Sequence, residues 1–509
     1  MSLIEKINSY EIDKREQIAH IYKNSSITYG ELIEKSDAMA AYIIDQFGDD
    51  KTPIVVYGHK EHEMLICFLA CVKAGHAYIP IDTSFPYERV RDIVESSQTK
   101  MIFNIGEFDY NFLGVNVKSY NEIKKILSQY KLHKPDEKYA LEEEDTYYII
   151  YTSGSTGKPK GVQITLSCLE SFINWATRIS SLRDGANYVF MNQAPFSFDL
   201  SVMDLYLSLS SGSTLFSVDK SMVLNLKLLF ESFSSSDINI WVSTPSFAEM
   251  CLGDSSFNEE LLPKLETFLF CGETLTNSCA QRLLKRFSNS KVINMYGPTE
   301  ATVAVTSIEI NEEIANKVIP LPVGIVKEDC RVIIIDENGN EVPEGEKGEI
   351  IIIGDSVSIG YYNNKERTEK SFSKKVINGV EKRCYGTGDE GYIKQGLLYY
   401  CGRIDFQIKL NGYRIELEDI ENNLRNIEFI NNCVVVPIIK ENRIQHLTAV
   451  VTLNRSPWDK EFKMAMQIKN ELKKFIPDYM IPRKINIVES LPMTINGKVN
   501  RKALLEEMK

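Results

Sequence analysis

From residue 53 onward the chain alternates short apolar runs with amphipathic ones: 53–58 then 61–74, 77–81 then 87–96, and 100–105 after those. A strand that is followed by a helix before the next strand pairs in parallel, with helices covering its faces, so this stretch is expected to form a parallel, helix-covered sheet. The rhythm continues at 147–151, 188–193, 238–243, 265–270 and 291–295. Past residue 323 the texture becomes β, with runs at 331–336 and 348–354 around an Asn338-Gly339 pair that signals a hairpin. From residue 404 strands at 407–410, 433–439 and 446–453 mix with helices near 417–425 and 460–475, which reads as a compact α+β domain. The expected class is α/β: a large N-terminal domain of helix-covered β-sheets with a small β subdomain, then a small C-terminal α+β domain.

A chain of 509 residues with 43% hydrophobic and 25% charged residues has an ordinary globular composition. A formal charge of -12 argues against nucleic-acid binding, which needs clustered Lys and Arg. The start, Met1-Ser2-Leu3-Ile4-Glu5-Lys6, lacks a basic segment followed by an apolar one, and no apolar run approaches the roughly 18 residues that span a bilayer. No stable membrane insertion is expected, and the cytoplasm is the expected compartment. The 10 cysteines include no Cys-x-x-Cys pair and no His-rich cluster, so they are expected to be reduced thiols rather than disulfides or zinc ligands.

The segment Thr152-Ser153-Gly154-Ser155-Thr156-Gly157-Lys158-Pro159-Lys160-Gly161 packs three glycines, four hydroxyls and two lysines behind an apolar run. Glycines let backbone N–H groups approach an anion, hydroxyls donate further bonds, and Lys158 and Lys160 add charge. Pro159 stands where a Walker loop needs Ser or Thr, so this is a different phosphate loop. Taken alone, it also reads as a plain Gly/Ser connection.

This loop resembles the signature loop of the adenylate-forming superfamily of acyl-CoA synthetases, luciferases and peptide-synthetase adenylation domains. The likeness extends along nearly the whole chain. Asn294-Met295-Tyr296-Gly297-Pro298-Thr299-Glu300 resembles that family's adenine and metal motif. The resemblance implies Tyr296 on the base, Thr299 on phosphate and Glu300 on Mg²⁺, a hard cation suited to carboxylate and phosphate oxygens. By itself the same string reads as a turn with a packed aromatic. Tyr385-Gly386-Thr387-Gly388-Asp389 resembles the ribose motif, with Asp389 on both hydroxyls and Gly386 where Arg or Lys is common. Tyr400-Cys401-Gly402-Arg403 resembles the start of the interdomain linker, with Arg403 near ribose and phosphate and Asp405 as hinge. Thr152, Ser153, Gly154, Lys160, Gly272 and Glu273 complete the implied nucleotide site. Lys498, in Thr494-Ile495-Asn496-Gly497-Lys498, matches the catalytic lysine, and the domains follow as 1–403, with the β subdomain near 323–403, and a mobile lid at 404–509.

Substrate choice rests on fewer residues. Asp199 in Phe198-Asp199-Leu200 matches the aspartate that pairs with the substrate ammonium in amino-acid-activating members, although an aspartate there also reads as a helix N-cap. Cys271, where relatives carry a smaller residue, and Val303 leave room for little more than a methyl side chain; a free cysteine is otherwise most often a small buried hydrophobe. These features and the absence of a fused carrier resemble the free-standing D-alanine:D-alanyl carrier protein ligases, whose product feeds teichoic-acid D-alanylation. The implied reactants are ATP with Mg²⁺, D-alanine and a phosphopantetheinylated carrier protein. Activation of L-Ala, Gly or Ser for peptide synthesis, a fatty- or aryl-acid CoA ligase, and a silent nucleotide-binding protein are the competing expectations.

Overall fold

The computed structural model describes residues 1–154, 158–180, 182–183, 185–404, 407–440, 443–454, 461–492, 501 and 504–505. The chain clusters into two compact units: 1–82 with 97–150 and 161–404, and 83–96 with 151–160 and 405–509.

Local sequence sets the helix starts. Ser2 with Glu5, Thr28 with Glu31 and Ser119 with Glu122 each form a reciprocal capping box at the head of Leu3–Asp13, Tyr29–Phe47 and Tyr120–Gln129. Gly212, at φ 64°, ends Leu200–Ser211 in the left-handed turn that suits glycine. The helix His62–Lys73 is apolar on every side, and a helix of that kind must be buried all round.

Two parallel-rich sheets result in the first unit, in line with the helix-covered β-sheets expected from the sequence. One has seven strands, in the order Gly360–Tyr361, Lys160–Thr165, Thr146–Thr152, Tyr78–Asp82, Ile54–Gly58, Met101–Asn104, Asn116–Ser119. The other has nine, in the order Ile325–Val326, Thr306–Glu309, Lys291–Tyr296, Thr267–Phe270, Ile240–Ser243, Val189–Asn192, Thr214–Ser217, Ile18–Tyr22, Ser25–Thr28. Its run from Lys291–Tyr296 across to Ile18–Tyr22 is parallel throughout. One large core joins residues of both sheets, such as Val56 and Phe190, through the helices Tyr29–Phe47, His62–Lys73 and Leu200–Ser211.

The β subdomain is antiparallel: Cys330–Ile335, Gly348–Gly354, Val380–Lys394 and Phe372–Ile377, with Leu397–Arg403 paired to the long strand. The Asn338-Gly339 turn forms, with Gly339 N–H donating to the Asp336 carbonyl at 3.0 Å, but it does not join the two expected strands directly. Val342 bonds Ile334 at 2.9 Å and pairing then stops, because Pro343 has no N–H to continue the ladder; the true partner strand begins at Gly348.

In the second unit the hairpin Gln407–Leu410 with Tyr413–Glu416 leads into the helix Leu417–Arg425, and the strands Ile430–Lys440, Arg443–Leu453 and Lys484–Ile487 form a sheet. The helix Glu461–Leu472 contributes Met464, Ile468 and Leu472 to the same core as Ile415, Ile420 and Val435.

Candidate active site

Parallel strands end on one side of a sheet, and side chains beyond those ends face a common crevice. Asn192, Ser243, Phe270 and Tyr296 are the last residues of four neighbouring parallel strands, with Phe270 in register with both Ser243 and Asn294. The residues identified by motif stand at or beyond these ends: Cys271 to Glu273 follow Phe270 directly, Asn294 to Tyr296 close their strand with Gly297 to Glu300 after it, and Asp199 comes seven residues past Asn192.

Tyr296, Asp389 and Arg403 come together. Asp389 and Arg403 lie opposite each other in antiparallel register, a cross-strand pairing of opposite charges. Arg403 Nη1 donates to Asp389 Oδ1 at 2.8 Å and to the Thr387 carbonyl at 2.7 Å, and Tyr296 Oη donates to Asp389 Oδ2 at 2.6 Å. Asp389 is 2% exposed, so its charge depends on those two donors. Burial and the neighbouring Asp389 carboxylate hold the Tyr296 phenol well above its usual value, so it stays a donor. The Tyr400 ring lies 5.7 Å from that of Tyr296, tilted by 36°. Cys401 and Gly402 continue the strand, Gly402 with φ 130° and Cys401 with its thiol pushed up by burial.

Glu300 is fully buried and accepts from Tyr361 Oη at 2.8 Å. Between the strand Lys291–Tyr296 and Glu300 the chain turns so tightly that a Cβ on Gly297 would stand 2.5 Å from Ala304 Cα and 2.8 Å from the Val303 carbonyl oxygen. Thr302 and Val303 both adopt positive φ, 58° and 67°, a region costly for β-branched residues at about 1–3 kcal/mol each. The surroundings fix them there: Thr302 Oγ1 donates to the Ser356 carbonyl at 2.7 Å, and Ala304 N–H to the Thr302 carbonyl at 2.8 Å. The turn brings the Val303 carbonyl to Cys271 Sγ, 3.5 Å away, and both residues are buried. Gly272, at φ 89°, leaves its Cβ position 3.9 Å from Phe198.

Asp199 is 9% exposed and occupies the N-cap position of Leu200–Ser211, yet its side chain makes no capping bond. The capping account of this residue therefore fails on geometry. Glu273 accepts from Ser246 N–H at 3.2 Å, satisfying an amide at the start of the helix Pro245–Leu252, where Thr244 does not cap. Asn294 Nδ2 donates to the Pro322 carbonyl at 2.8 Å; Met295 and Thr299 are buried, the latter opening a short turn after Pro298.

Thr152 ends the strand Thr146–Thr152 with a buried Oγ1 that has no hydrogen-bond partner among the described residues. Ser153 Oγ, within the second unit, donates to the Arg414 carbonyl at 2.9 Å; Gly154 follows it, and Lys160 opens the next strand. Ser155 to Gly157, Asp405, the expected hinge, and Lys498, the expected catalytic lysine, lie outside the described residues. Among the described residues no group of three or more His, Cys, Asp or Glu could hold a metal, and no helix is long and apolar enough to cross a membrane. Tyr361 is the partner that the motifs miss: it stands 61 residues from Glu300, on an edge strand of the other sheet, and no spacing rule links the two.

Comparison with known proteins shows which proteins the chain is similar to. Residues 11–362 match the family model described as AMP-binding enzyme, and residues 419–498 match the AMP-binding enzyme C-terminal domain. A D-alanine--D-alanyl carrier protein ligase of Bacillus cereus (strain AH187) is 51% identical over 508 residues, covering 100% of both chains. Among solved structures, o-succinylbenzoate CoA synthetase from Bacillus subtilis superposes with a TM-score of 0.83 at 19% identity, covering 98% of each chain. The Vibrio cholerae adenylation domain AlmE, in complex with glycyl-adenosine-5'-phosphate, gives 0.82 at 24% identity over 99% of this chain and 97% of its own.

Proposed function

Because the chain belongs to the AMP-binding enzyme family, we propose that it is an ATP-dependent, AMP-forming acid–thiol ligase that activates D-alanine as D-alanyl-adenylate and passes the acyl group to the phosphopantetheine thiol of a carrier protein. The observation that supports the choice of acid is the wall where Cys271 Sγ meets the Val303 carbonyl, next to Gly272, whose Cβ position stands 3.9 Å from Phe198. By its resemblance to amino-acid-activating members, the Asp199 carboxylate at the head of the helix Leu200–Ser211 takes the substrate ammonium as a partner. Lined by the Cys271 thiol and the Val303 isopropyl group, the proposed acyl pocket takes a methyl side chain.

In the first step a carboxylate oxygen of D-alanine attacks the α-phosphorus of ATP, and the bond to the bridging oxygen breaks to release pyrophosphate. The protein's work is positioning and charge stabilisation. Asp389 accepts from the ribose hydroxyls while Arg403 and Tyr296 hold its charge in place, and Tyr296 lies against adenine with Tyr400 behind it. Gly272, Glu273, Asn294, Met295, Gly297, Pro298, Cys401 and Gly402 shape the rest of the nucleotide pocket. Thr299, the Gly154 backbone, Ser153 and Lys160 contact phosphate oxygens, and the buried Thr152 Oγ1, without a partner among the described residues, suits an anion acceptor. Lys498 sets its compact charge between the substrate carboxylate and the α-phosphate.

Glu300 fits Mg²⁺, which takes one or two protein carboxylates and completes its shell with phosphate and water oxygens, and Tyr361 fixes the orientation of that carboxylate. Bound there, the ion would neutralise phosphate charge. In the second step the carrier thiolate attacks the acyl carbon, a thioester forms and AMP leaves. We take residues 404–509 as a lid turning about Asp405 on the 1–403 core, with the reaction in the cytoplasm.

The test is ATP–pyrophosphate exchange across a panel of D- and L-amino acids. Strongest exchange with D-alanine is expected, and a clear preference for an L-amino acid would overturn the substrate assignment.

A further inference from the structure

Behind the amino-acid side of the site lies a set of buried polar groups with no part in the chemistry above. Lys60, 0% exposed, follows the strand Ile54–Gly58. Its Nζ donates to the carbonyls of Asn192 at 2.9 Å and Gln193 at 2.8 Å, where the strand Val189–Asn192 gives way to the segment leading to Asp199. The Asn192 side chain extends the network: Oδ1 accepts from Ser217 Oγ at 2.8 Å, and Nδ2 donates to Asp204 Oδ1 at 2.9 Å and to the Ala194 carbonyl at 3.1 Å. Asp204 is also 0% exposed and sits on the helix that Asp199 precedes. The stretch from 192 to 204 is thus tied down at both ends, with Asp199 between the ties.

An ammonium and a carboxylate without solvent are expensive, and hydrophobic residues of similar size would give a more stable interior. Burial pushes the Lys60 ammonium down to about 7 despite the attraction of Asp204, Asp82 and Asp219, with Lys220 opposing, and burial pushes the Asp204 carboxyl up. Such groups need a reason other than stability, and their bonds converge on the one segment that carries Asp199.

We propose that Lys60 and Asp204 are positioning residues of the amino-acid subsite, fixing residues 192–204 so that the Asp199 carboxylate meets the substrate ammonium while touching no substrate themselves. This rests on the adenylation reading above. The nucleotide side is fixed by other elements, the strands Lys291–Tyr296 and Val380–Lys394, so the effect is confined to the amino acid.

The experiment compares full-length wild type with Lys60→Met and Asp204→Leu in ATP–pyrophosphate exchange, varying D-alanine and ATP separately. Each variant is expected to raise the KM for D-alanine tenfold or more while the KM for ATP and kcat stay within about threefold. If wild type shows no D-alanine-dependent exchange, the adenylation reading falls and the positioning role falls with it. If wild type exchanges but the variants keep their D-alanine KM within twofold, or lose affinity for ATP and D-alanine equally, the positioning role alone is overturned. Asp204→Leu removes the Asn192 acceptor inside an already apolar helix face, so it reports on the network even where Lys60→Met yields no folded protein.

Discussion

Asp389→Asn is the sharpest probe of the nucleotide site, because it preserves volume while removing both charge and one acceptor. In the native protein the two carboxylate oxygens take Tyr296 Oη at 2.6 Å and Arg403 Nη1 at 2.8 Å. An amide has one acceptor oxygen, so one of those donors loses its partner; Arg403 keeps the Thr387 carbonyl at 2.7 Å and is the better able to bear the loss. Hydrogen bonds to a charged group contribute about 1.5–3 kcal/mol. The ribose hydroxyls, proposed to donate to the same carboxylate, would lose about 2–3 kcal/mol together, a weakening of ATP binding by roughly 30- to 150-fold. Equilibrium titration with ATP measures this directly, and exchange kinetics at saturating ATP show whether the D-alanine KM holds within about threefold. An ATP affinity unchanged in the variant, or a D-alanine KM that rises in step with it, would refute the assignment of Asp389 to ribose.

Other outcomes follow from the proposed function. Lys498→Ala is expected to abolish exchange while ATP titration stays close to wild type; equal loss of both would remove Lys498 from the transition state. Cys271→Ala opens the wall against Val303 and is expected to lower the D- over L-alanine preference at least fivefold in exchange assays, whereas an unchanged ratio would clear Cys271 of any part in stereochemistry. With Lys60 at about 7 in the fold and near 10.5 in the unfolded chain, the unfolded state binds the extra proton between those values, so this group makes stability rise with pH across that window and fall as pH drops toward 7. Denaturation of wild type and Lys60→Met from pH 7 to 9.5 checks the slope: the stability of wild type relative to the variant is expected to increase with pH, and a flat difference contradicts the buried-lysine account.

The strand–helix alternation was legible because its cause is local. The strand Gly348–Gly354 and the helix Leu417–Arg425 match their sequence readings to the residue, since burial pattern and turn residues specify them without help from distant parts. Which strands share a sheet was not legible: Ile18–Tyr22 pairs in parallel with Thr214–Ser217, nearly two hundred residues on, and only side-chain packing across the core selects that partner. The amino-terminal elements before residue 53 went unread although the Ser2–Glu5 and Thr28–Glu31 boxes mark two helix starts there; what is non-local is the partner of the strand Ile18–Tyr22. At the site, Tyr296, Asp389 and Arg403 were recognisable from motif resemblance, and the structure brings them within hydrogen-bonding distance. Tyr361 on Glu300 and Lys60 beneath Asn192 were not, because each is an ordinary residue whose meaning comes from a neighbour far away in sequence.

The turn at Gly297 carries a consequence for anyone seeking to change which acid is activated. With no room for a side chain at 297, and with the Val305 N–H bonded to the Tyr296 carbonyl at 2.8 Å, residues 296–305 form one interlocked piece. Carving a larger acyl pocket through Val303 would disturb the aromatic ring proposed to support adenine, so libraries randomised there would trade nucleotide affinity for acceptance of bulkier acids, or return paired changes. Cys271 stands at a different strand end and touches that piece from outside, its Sγ 3.5 Å from the Val303 carbonyl. It offers the route by which acyl specificity can drift while the grip on ATP is left alone.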